Sequence, residues 1–208
     1  MKFWDGARYV FALIVVASIP PSVLLWVAIH PFAAFWRRVG PVWTYVILGF
    51  PTVGYMAGAW FFRKILLGQD LGTSVTTMIL AGIVFGAAVL LKSRVQRQLR
   101  FASLSGVPEL SKEKYPGKLL MEGVYGRVRN PRYIEVLLWV LAYALFANYL
   151  GSYVVVVLYL PLIYLVVRLE EKELRQRFGA AYEDYCRRVP RFMPKPGPRN
   201  DEVNDRFI

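Results

Sequence analysis

The chain has 208 residues, of which 56% are hydrophobic and 19% charged, and its formal net charge at pH 7 is +12. A soluble domain of this length cannot bury so large an apolar fraction, so the composition indicates an integral membrane protein. We expect the basic excess to mark cytoplasmic loops and to attract anionic headgroups, and we expect no nucleic-acid partner. With one histidine, His30, and one cysteine, Cys186, the chain by itself excludes an internal disulfide and a His/Cys zinc site.

Long uncharged runs alternate with short charged stretches along the whole chain. A helix needs roughly 20 residues to cross the hydrocarbon core, and membrane spans of this kind must satisfy their backbone internally. The sequence therefore predicts an all-α membrane bundle of five transmembrane helices, at residues 9–29, 42–62, 74–91, 133–149 and 153–168. Pro20 and Pro21 lie within the first of them, where we expect a kink.

The uncharged run 136–167 is too long for one span. As a single helix it would measure about 48 Å at 1.5 Å per residue, well above the bilayer core. Asn148, Gly151 and Ser152 interrupt it, which predicts a tight helical hairpin. Lysine and arginine concentrate before and after this hairpin and are missing from its turn, so both basic regions are predicted to be cytoplasmic, with the N-terminus outside.

The predicted organisation is one structural domain with four parts. Residues 1–91 would form a three-span scaffold, and residues 92–132 a cytoplasmic connector with a cofactor motif. Residues 133–194 would form the hairpin and a cytoplasmic helix reaching about Tyr185, and residues 195–208 a flexible tail. The first apolar run exceeds the length of a signal-peptide core, so we expect it to be retained. A prokaryotic inner membrane is the expected location.

Two polar clusters flank the hairpin and hold the candidate chemistry. We call residues 123–133, GVYGRVRNPRY, the arginine motif, and residues 168–185, RLEEKELRQRFGAAYEDY, the glutamate segment. Glu135, Glu170 and Glu171 are predicted at the membrane boundary, where a carboxylate is costly unless it is paired. Their expected partners are Arg127, Arg129, Arg132 and Arg168. Structural ion pairs between the helices and a functional site explain these residues equally well.

Together with VPRFMP at 189–194, these clusters resemble the isoprenylcysteine carboxyl methyltransferase family and, more loosely, the related phospholipid N-methyltransferases. The resemblance covers residues 117–194 and implies S-adenosylmethionine as cofactor, bound at the cytoplasmic face. It implies a lipid-like or prenylated acceptor. The implied cofactor-binding residues are Gly117, Lys118, Leu119, Leu120, Tyr125, Arg129, Asn130, Pro131, Arg132, Tyr133 and Glu170. The implied catalytic residues, facing the acceptor, are Arg168, Glu171 and Glu135, and no metal is implied.

Two residues depart from the family pattern. Asn130 stands where a histidine is usual and cannot shuttle protons at pH 7, and Glu135 stands where a small glycine is common and would reshape the acceptor tunnel. A carboxylate acceptor needs no base, and no histidine is expected in the site, so carboxyl O-methylation is favoured. Three alternatives stay open: a phospholipid N-methyltransferase, an NADPH-dependent membrane reductase with a similar C-terminal half, and a non-catalytic scaffold or transporter.

Overall fold

The computed structural model describes residues 2–98 and 119–194, and every regular element in these two ranges is a helix. In chain order they are α1 (Lys2–Ile29), a 3-10 turn (His30–Phe32), α2 (Ala33–Val39), α3 (Pro41–Phe61), α4 (Arg63–Leu67), α5 (Val75–Gln96), α6 (Pro131–Ala147), α7 (Leu150–Phe178) and α8 (Ala180–Arg188). Residues 99–118 of the predicted connector and the whole predicted tail (residues 195–208) lie outside the described residues.

The all-α membrane fold is confirmed. Within the described residues, three helices are long and apolar enough to cross a membrane: Phe3–Phe32, which combines α1 with the 3-10 turn, and α5 and α7. Helices α3 and α6 coincide with the second and fourth predicted spans, but the count of five spans and their orientation in the membrane stay predictions. Helix α6 packs on α5 and α1, and α7 packs on α1 and α6.

Helix α1 continues through both of its internal prolines. Pro20 has no amide hydrogen, so the carbonyl of Val16, four residues earlier, loses its usual helical donor. The Tyr55 hydroxyl of α3 donates to that carbonyl at 3.1 Å. The proline therefore also creates an acceptor that ties α1 to α3, in keeping with the rule that freed backbone groups in membranes must be satisfied by neighbouring helices.

The predicted hairpin is confirmed between α6 and α7. Asn148 ends α6 in the left-handed conformation at φ 54°, which allows the chain to reverse within two residues. Gly151 then approaches the end of α4 so closely that an added Cβ would lie 1.9 Å from the Leu66 carbonyl oxygen. Only glycine fits this contact, which holds the turn against α4.

A buried cation joins three chain segments at the same end of the bundle. Arg8 of α1 is 1% exposed and forms an ion pair with Asp70. Its guanidinium also donates to Thr73 Oγ1 at 3.1 Å and to the Ala147 carbonyl at 3.0 Å. We call this group the Arg8 cluster. It fixes the α6–α7 turn to α1 and to the α4–α5 loop.

The C-terminal helix is not continuous, which corrects the prediction of one helix to about Tyr185. Helix α7 ends at Phe178, and Gly179 adopts φ 53°, a conformation that favours glycine and lets α8 change direction. Tyr182, Tyr185 and Val189 are buried there and pack against Leu119. Helix α8 thereby returns to the segment that precedes the arginine motif.

Candidate functional site

The arginine motif is held by the chain that follows α8. The Arg129 amide donates to the Pro190 carbonyl at 2.9 Å, and the Asn130 amide donates to the Arg191 carbonyl at 3.2 Å. The Arg129 side chain adds bonds to the carbonyls of Cys186 and Val189, at 2.8 and 3.0 Å. The hairpin thus brings the two polar clusters to the same end of the bundle, as predicted.

Glu171 is the central anion of this end and is 0% exposed. Its Oε1 accepts from Arg129 Nη2 and Asn130 Nδ2, both at 3.1 Å, and from Arg191 Nε at 3.0 Å. Its Oε2 accepts from Arg191 Nη2 at 2.7 Å, and Arg175 lies 3.8 Å away. We call these residues the Glu171 cluster. A buried carboxylate surrounded by so many donors fixes the chain around it.

Next to this cluster lies a cavity of about 220 Å³ between α1, α6 and α7. Its lining combines apolar side chains with charged ones: Ser22, Val23, Trp26, His30, Arg132, Tyr133, Val136, Tyr159, Ile163, Val166 and Glu170. The residues from α7 recur every three or four positions, so they form one stripe of the helix. The charged groups lie at the ends of α6 and α7 that face the Glu171 cluster.

The polar wall of the cavity is built from neighbouring turns of α6 and α7. The Tyr133 hydroxyl donates to Glu170 Oε2, and the Arg132 guanidinium lies over the Trp26 ring, 5.9 Å from its centroid. Tyr125 of the arginine motif is affected by the same charges. Burial raises the pKa of its phenol far above the usual value, and the Glu170 charge raises this pKa further. The Tyr125 hydroxyl therefore stays protonated at neutral pH and can donate a hydrogen bond.

His30 is in the cavity wall, which corrects the expectation that the site has no histidine. Its Nδ1 lies 3.3 Å from Glu173 Oε2, and its ring stacks on Trp26 at 5.6 Å between centroids. Arg37 of α2 forms an ion pair with the other Glu173 oxygen. The expectation failed because the 3-10 turn places His30 against Glu173 of α7, and Glu173 lies one helical turn beyond Glu170.

The predicted cofactor-binding residues fall into three groups. Arg132, Tyr133 and Glu170 line the cavity, whereas Tyr125 is not part of its described lining and feels the charges of Glu170 and Arg132. Arg129 and Asn130 bind Glu171, one layer behind the cavity wall. Pro131 is the first residue of α6. Leu119 packs against the buried α8 tyrosines, and Leu120 is half-buried. Gly117 and Lys118 lie outside the described residues.

The predicted catalytic residues lie around the cavity, and its described lining contains none of them. Glu171 is enclosed in its own cluster. Glu135 is 8% exposed and accepts from Trp139 Nε1 at 3.1 Å, and Trp139 packs on Phe85 of α5. Arg168 is exposed, with Nη1 3.4 Å from the Tyr164 hydroxyl. Their roles toward an acceptor stay predictions.

The sequence analysis missed the contribution of α1, which it assigned to the scaffold. Ser22, Trp26 and His30 are spaced by four residues and so lie on one helix face, all lining the cavity. That spacing was readable in the sequence. Arg191 was also missed as a partner of Glu171, because a pairing between distant loops leaves no periodic signal.

Comparisons with known proteins agree with this geometry. A sequence model described as phospholipid methyltransferase matches residues 76–181, which run from α5 into α8. Delta(14)-sterol reductase TM7SF2 of Mus musculus is 34% identical over 80 residues, so the match spans 37% of this chain and 19% of that relative. No solved structure matches the chain. Since the family match covers more than half of the chain, including the arginine motif and most of the glutamate segment, the chain belongs to the phospholipid methyltransferase family of membrane methyltransferases.

Proposed function

We propose that the protein transfers a methyl group from S-adenosylmethionine to a lipid-like acceptor in the cavity between α1, α6 and α7. One observation carries the proposal: the cavity joins a charged wall of Arg132, Tyr133 and Glu170 to apolar walls from two helices long enough to cross a membrane. Such a site suits a reaction between a polar donor and a molecule whose tail lies in the bilayer.

The residues of the polar wall fit S-adenosylmethionine, which is both zwitterionic and a sulfonium cation. Arg132 would bind its carboxylate, and Glu170, positioned by Tyr133, would bind its amino group. The aromatic ring of Tyr159, which also lines the cavity, can attract a cation. When bound, this cofactor supplies an electrophilic methyl group, while the protein aligns the reactants and excludes water.

The acceptor's apolar part would contact the α1 and α7 walls, where Val23, Ile163 and Val166 line the cavity. Burying such a chain is favourable by about 0.8 kcal/mol for each methylene removed from water. The headgroup would then meet the charged wall. This arrangement selects acceptors by their tail and orients them by their head.

For the reacting group we propose an amine ahead of a carboxylate. The preference for carboxyl O-methylation depended on a site without histidine, and His30 lines this cavity. The family model that matches the chain is described as phospholipid methyltransferase, which supports a phospholipid-like acceptor. An ammonium group also suits the aromatic rings that line this cavity.

The test uses purified protein in vesicles with methyl-labelled S-adenosylmethionine. One vesicle preparation contains phosphatidylethanolamine, and another contains a prenylated peptide with a free carboxylate. We expect labelled lipid in the organic phase that releases no labelled methanol in mild base, because N-methyl groups are stable and methyl esters release methanol. Base-labile product would restore carboxyl methylation, and absence of labelled product from both preparations would overturn the proposed function.

Glu170→Gln tests the site itself. Loss of a charge-assisted hydrogen bond, about 1.5–3 kcal/mol, should weaken donor binding about 10- to 100-fold in equilibrium titration. Asp184→Asn is the control, because Asp184 is exposed on α8 and pairs with Arg187. Equal donor affinity in both variants would contradict the assignment of the polar wall to the donor.

A membrane reductase is the second candidate, supported by the partial identity to the sterol reductase. It predicts saturable NADPH binding and no S-adenosylmethionine binding. Titration with both cofactors separates the two functions, and binding of neither would favour a non-catalytic scaffold or transporter whose glutamates and arginines act only as ion pairs.

A further inference from the structure

The cavity is completed by a part of the chain outside the matched family region. The match begins at residue 76, whereas Ser22, Trp26 and His30 lie in α1 and the 3-10 turn. These residues face Arg132 and Glu170 across the same cavity. The N-terminal half therefore contributes chemistry as well as support, and His30 is its one titratable residue in the cavity wall.

His30 has the surroundings of an oriented imidazole. It is 6% exposed, and Glu173 lies 3.3 Å from Nδ1. A carboxylate at Nδ1 favours the tautomer with the proton on that nitrogen, which leaves Nε2 as the basic nitrogen of the neutral ring. The stacked Trp26 ring further limits rotation of the imidazole.

We propose that His30, positioned by Glu173, accepts the proton of an acceptor whose reacting nitrogen reaches the site as an ammonium group. The proposal rests on the proposed function, and it deepens that function by naming the base. The N–H bond of the ammonium breaks, a bond forms from that proton to Nε2, and the nitrogen keeps the electron pair with which it attacks the methyl group. Imidazolium returns the proton to water after the reaction.

The charges around His30 support both protonation states. Glu173 stabilises the imidazolium, and the ion pair with Arg37 fixes the position of that carboxylate. Arg132, in the facing wall, disfavours a positive imidazole. Glu170 lies in the same wall, carries the opposite charge and accepts the hydrogen bond of the Tyr133 hydroxyl. A base that gains and loses its proton readily needs this kind of balance.

A purely structural role for His30 gives different results from a base. In the wild type, we expect kcat for the lipid amine to rise with pH as the imidazole becomes neutral. His30→Gln should lower kcat about 100- to 10,000-fold at neutral pH with little change in KM. Its defect should shrink at alkaline pH, where the free amine forms without a base. A structural role would lower activity equally at all pH values.

Glu173→Gln is the matched positioning variant. Without the carboxylate, imidazolium is less stable, so the rising limb of the pH profile should move to lower pH and still be present. Asp184→Asn should leave the profile unchanged, because its side chain is exposed on α8. An unshifted limb in Glu173→Gln would overturn the role given to Glu173.

A second readout does not require turnover. Because the chain has one histidine, carbethoxylation of the histidine peptide reports on His30 alone. With the reagent in excess over lipid amine and its concentration followed in both preparations, phosphatidylethanolamine vesicles should lower the rate constant of this modification several-fold relative to phosphatidylglycerol vesicles. The same modification rate in both preparations would overturn the proposal, even if His30→Gln fails to fold.

The two proposals fail in different ways. If the wild type methylates no lipid, the proposed function fails, whatever the modification of His30 shows. If the wild type methylates the lipid amine and His30→Gln keeps its rate and pH profile, the role of His30 fails alone. A base-labile product also overturns the role, because a carboxylate has no proton to lose.

Discussion

The Arg8 cluster and the Glu171 cluster lie at opposite ends of α6, and each stabilises one buried charge. Each places one fully buried charge among oppositely charged or polar groups from distant segments. Arg8 is the cation of one, and Glu171 is the anion of the other. Since a buried charge without partners costs several kcal/mol, both clusters favour the single arrangement of segments that satisfies them.

The difference between the clusters lies in what surrounds them. At the Glu171 end the adjacent Glu170 turns into a cavity, together with Arg132 and Tyr133. At the Arg8 end the main partner, Asp70, is 44% exposed in its side chain and supports a turn. The saturated buried charge, Glu171, therefore fixes the chain, and the charge beside it, Glu170, lines the cavity and is the one that we propose to bind the donor.

The largest expected effect comes from Glu171→Ala. Arg129 and Arg191 would lose their common anion, and removing one partner of a buried pair costs about 3–5 kcal/mol. Donor binding should fall as well, because the arginine motif would no longer be held. Thermal unfolding in detergent and donor titration measure the two effects.

Glu183→Ala is the control for that experiment, because its ion pair with Arg175 is exposed and worth at most about 1 kcal/mol. If Glu171→Ala were no less stable than this control, the Glu171 cluster would have no structural role, and the comparison of the two ends would break.

A smaller effect is expected from Arg8→Met, which keeps the apolar length of the side chain. Asp70 is partly exposed and can regain water, so the loss comes mainly from the Ala147 and Asn148 carbonyls, at about 1–3 kcal/mol. Donor affinity should stay at the wild-type value. A change in donor affinity as large as that of Glu171→Ala would show that the two ends are coupled.

The hairpin was predictable because its signals are local. Asn148 and Gly151 interrupt an uncharged run, and the distribution of lysine and arginine requires a reversal. The structure adds the reasons for both residues: left-handed backbone at Asn148 and contact with a carbonyl at Gly151. The contact at Gly151 is with α4, and no local sequence pattern connects α4 to this turn.

The partners within the site were less predictable. The sequence places Glu170 and Glu171 side by side, but successive residues of a helix point about 100° apart, so only one can face a given cavity. Arg129 was predicted as a partner of the three glutamates as a group, and the structure pairs it with Glu171. His30 was missed because its place in the cavity wall depends on the packing of α1 against α7.

The smallest expected effect comes from two matched variants, one at each end of α6, that each remove one tyrosine hydroxyl. The Tyr185 hydroxyl donates to the Tyr125 carbonyl at 2.7 Å, and the Tyr153 hydroxyl donates to Asn148 Oδ1 at 2.9 Å. Tyr185→Phe and Tyr153→Phe should each cost about 0.5–1.5 kcal/mol in unfolding free energy, because each removes one hydrogen bond. Only Tyr185→Phe should also weaken donor binding, by a few-fold, because it frees the loop that places Tyr125 beside Glu170. Equal donor affinities in the two variants would mean that the position of Tyr125 does not depend on α8.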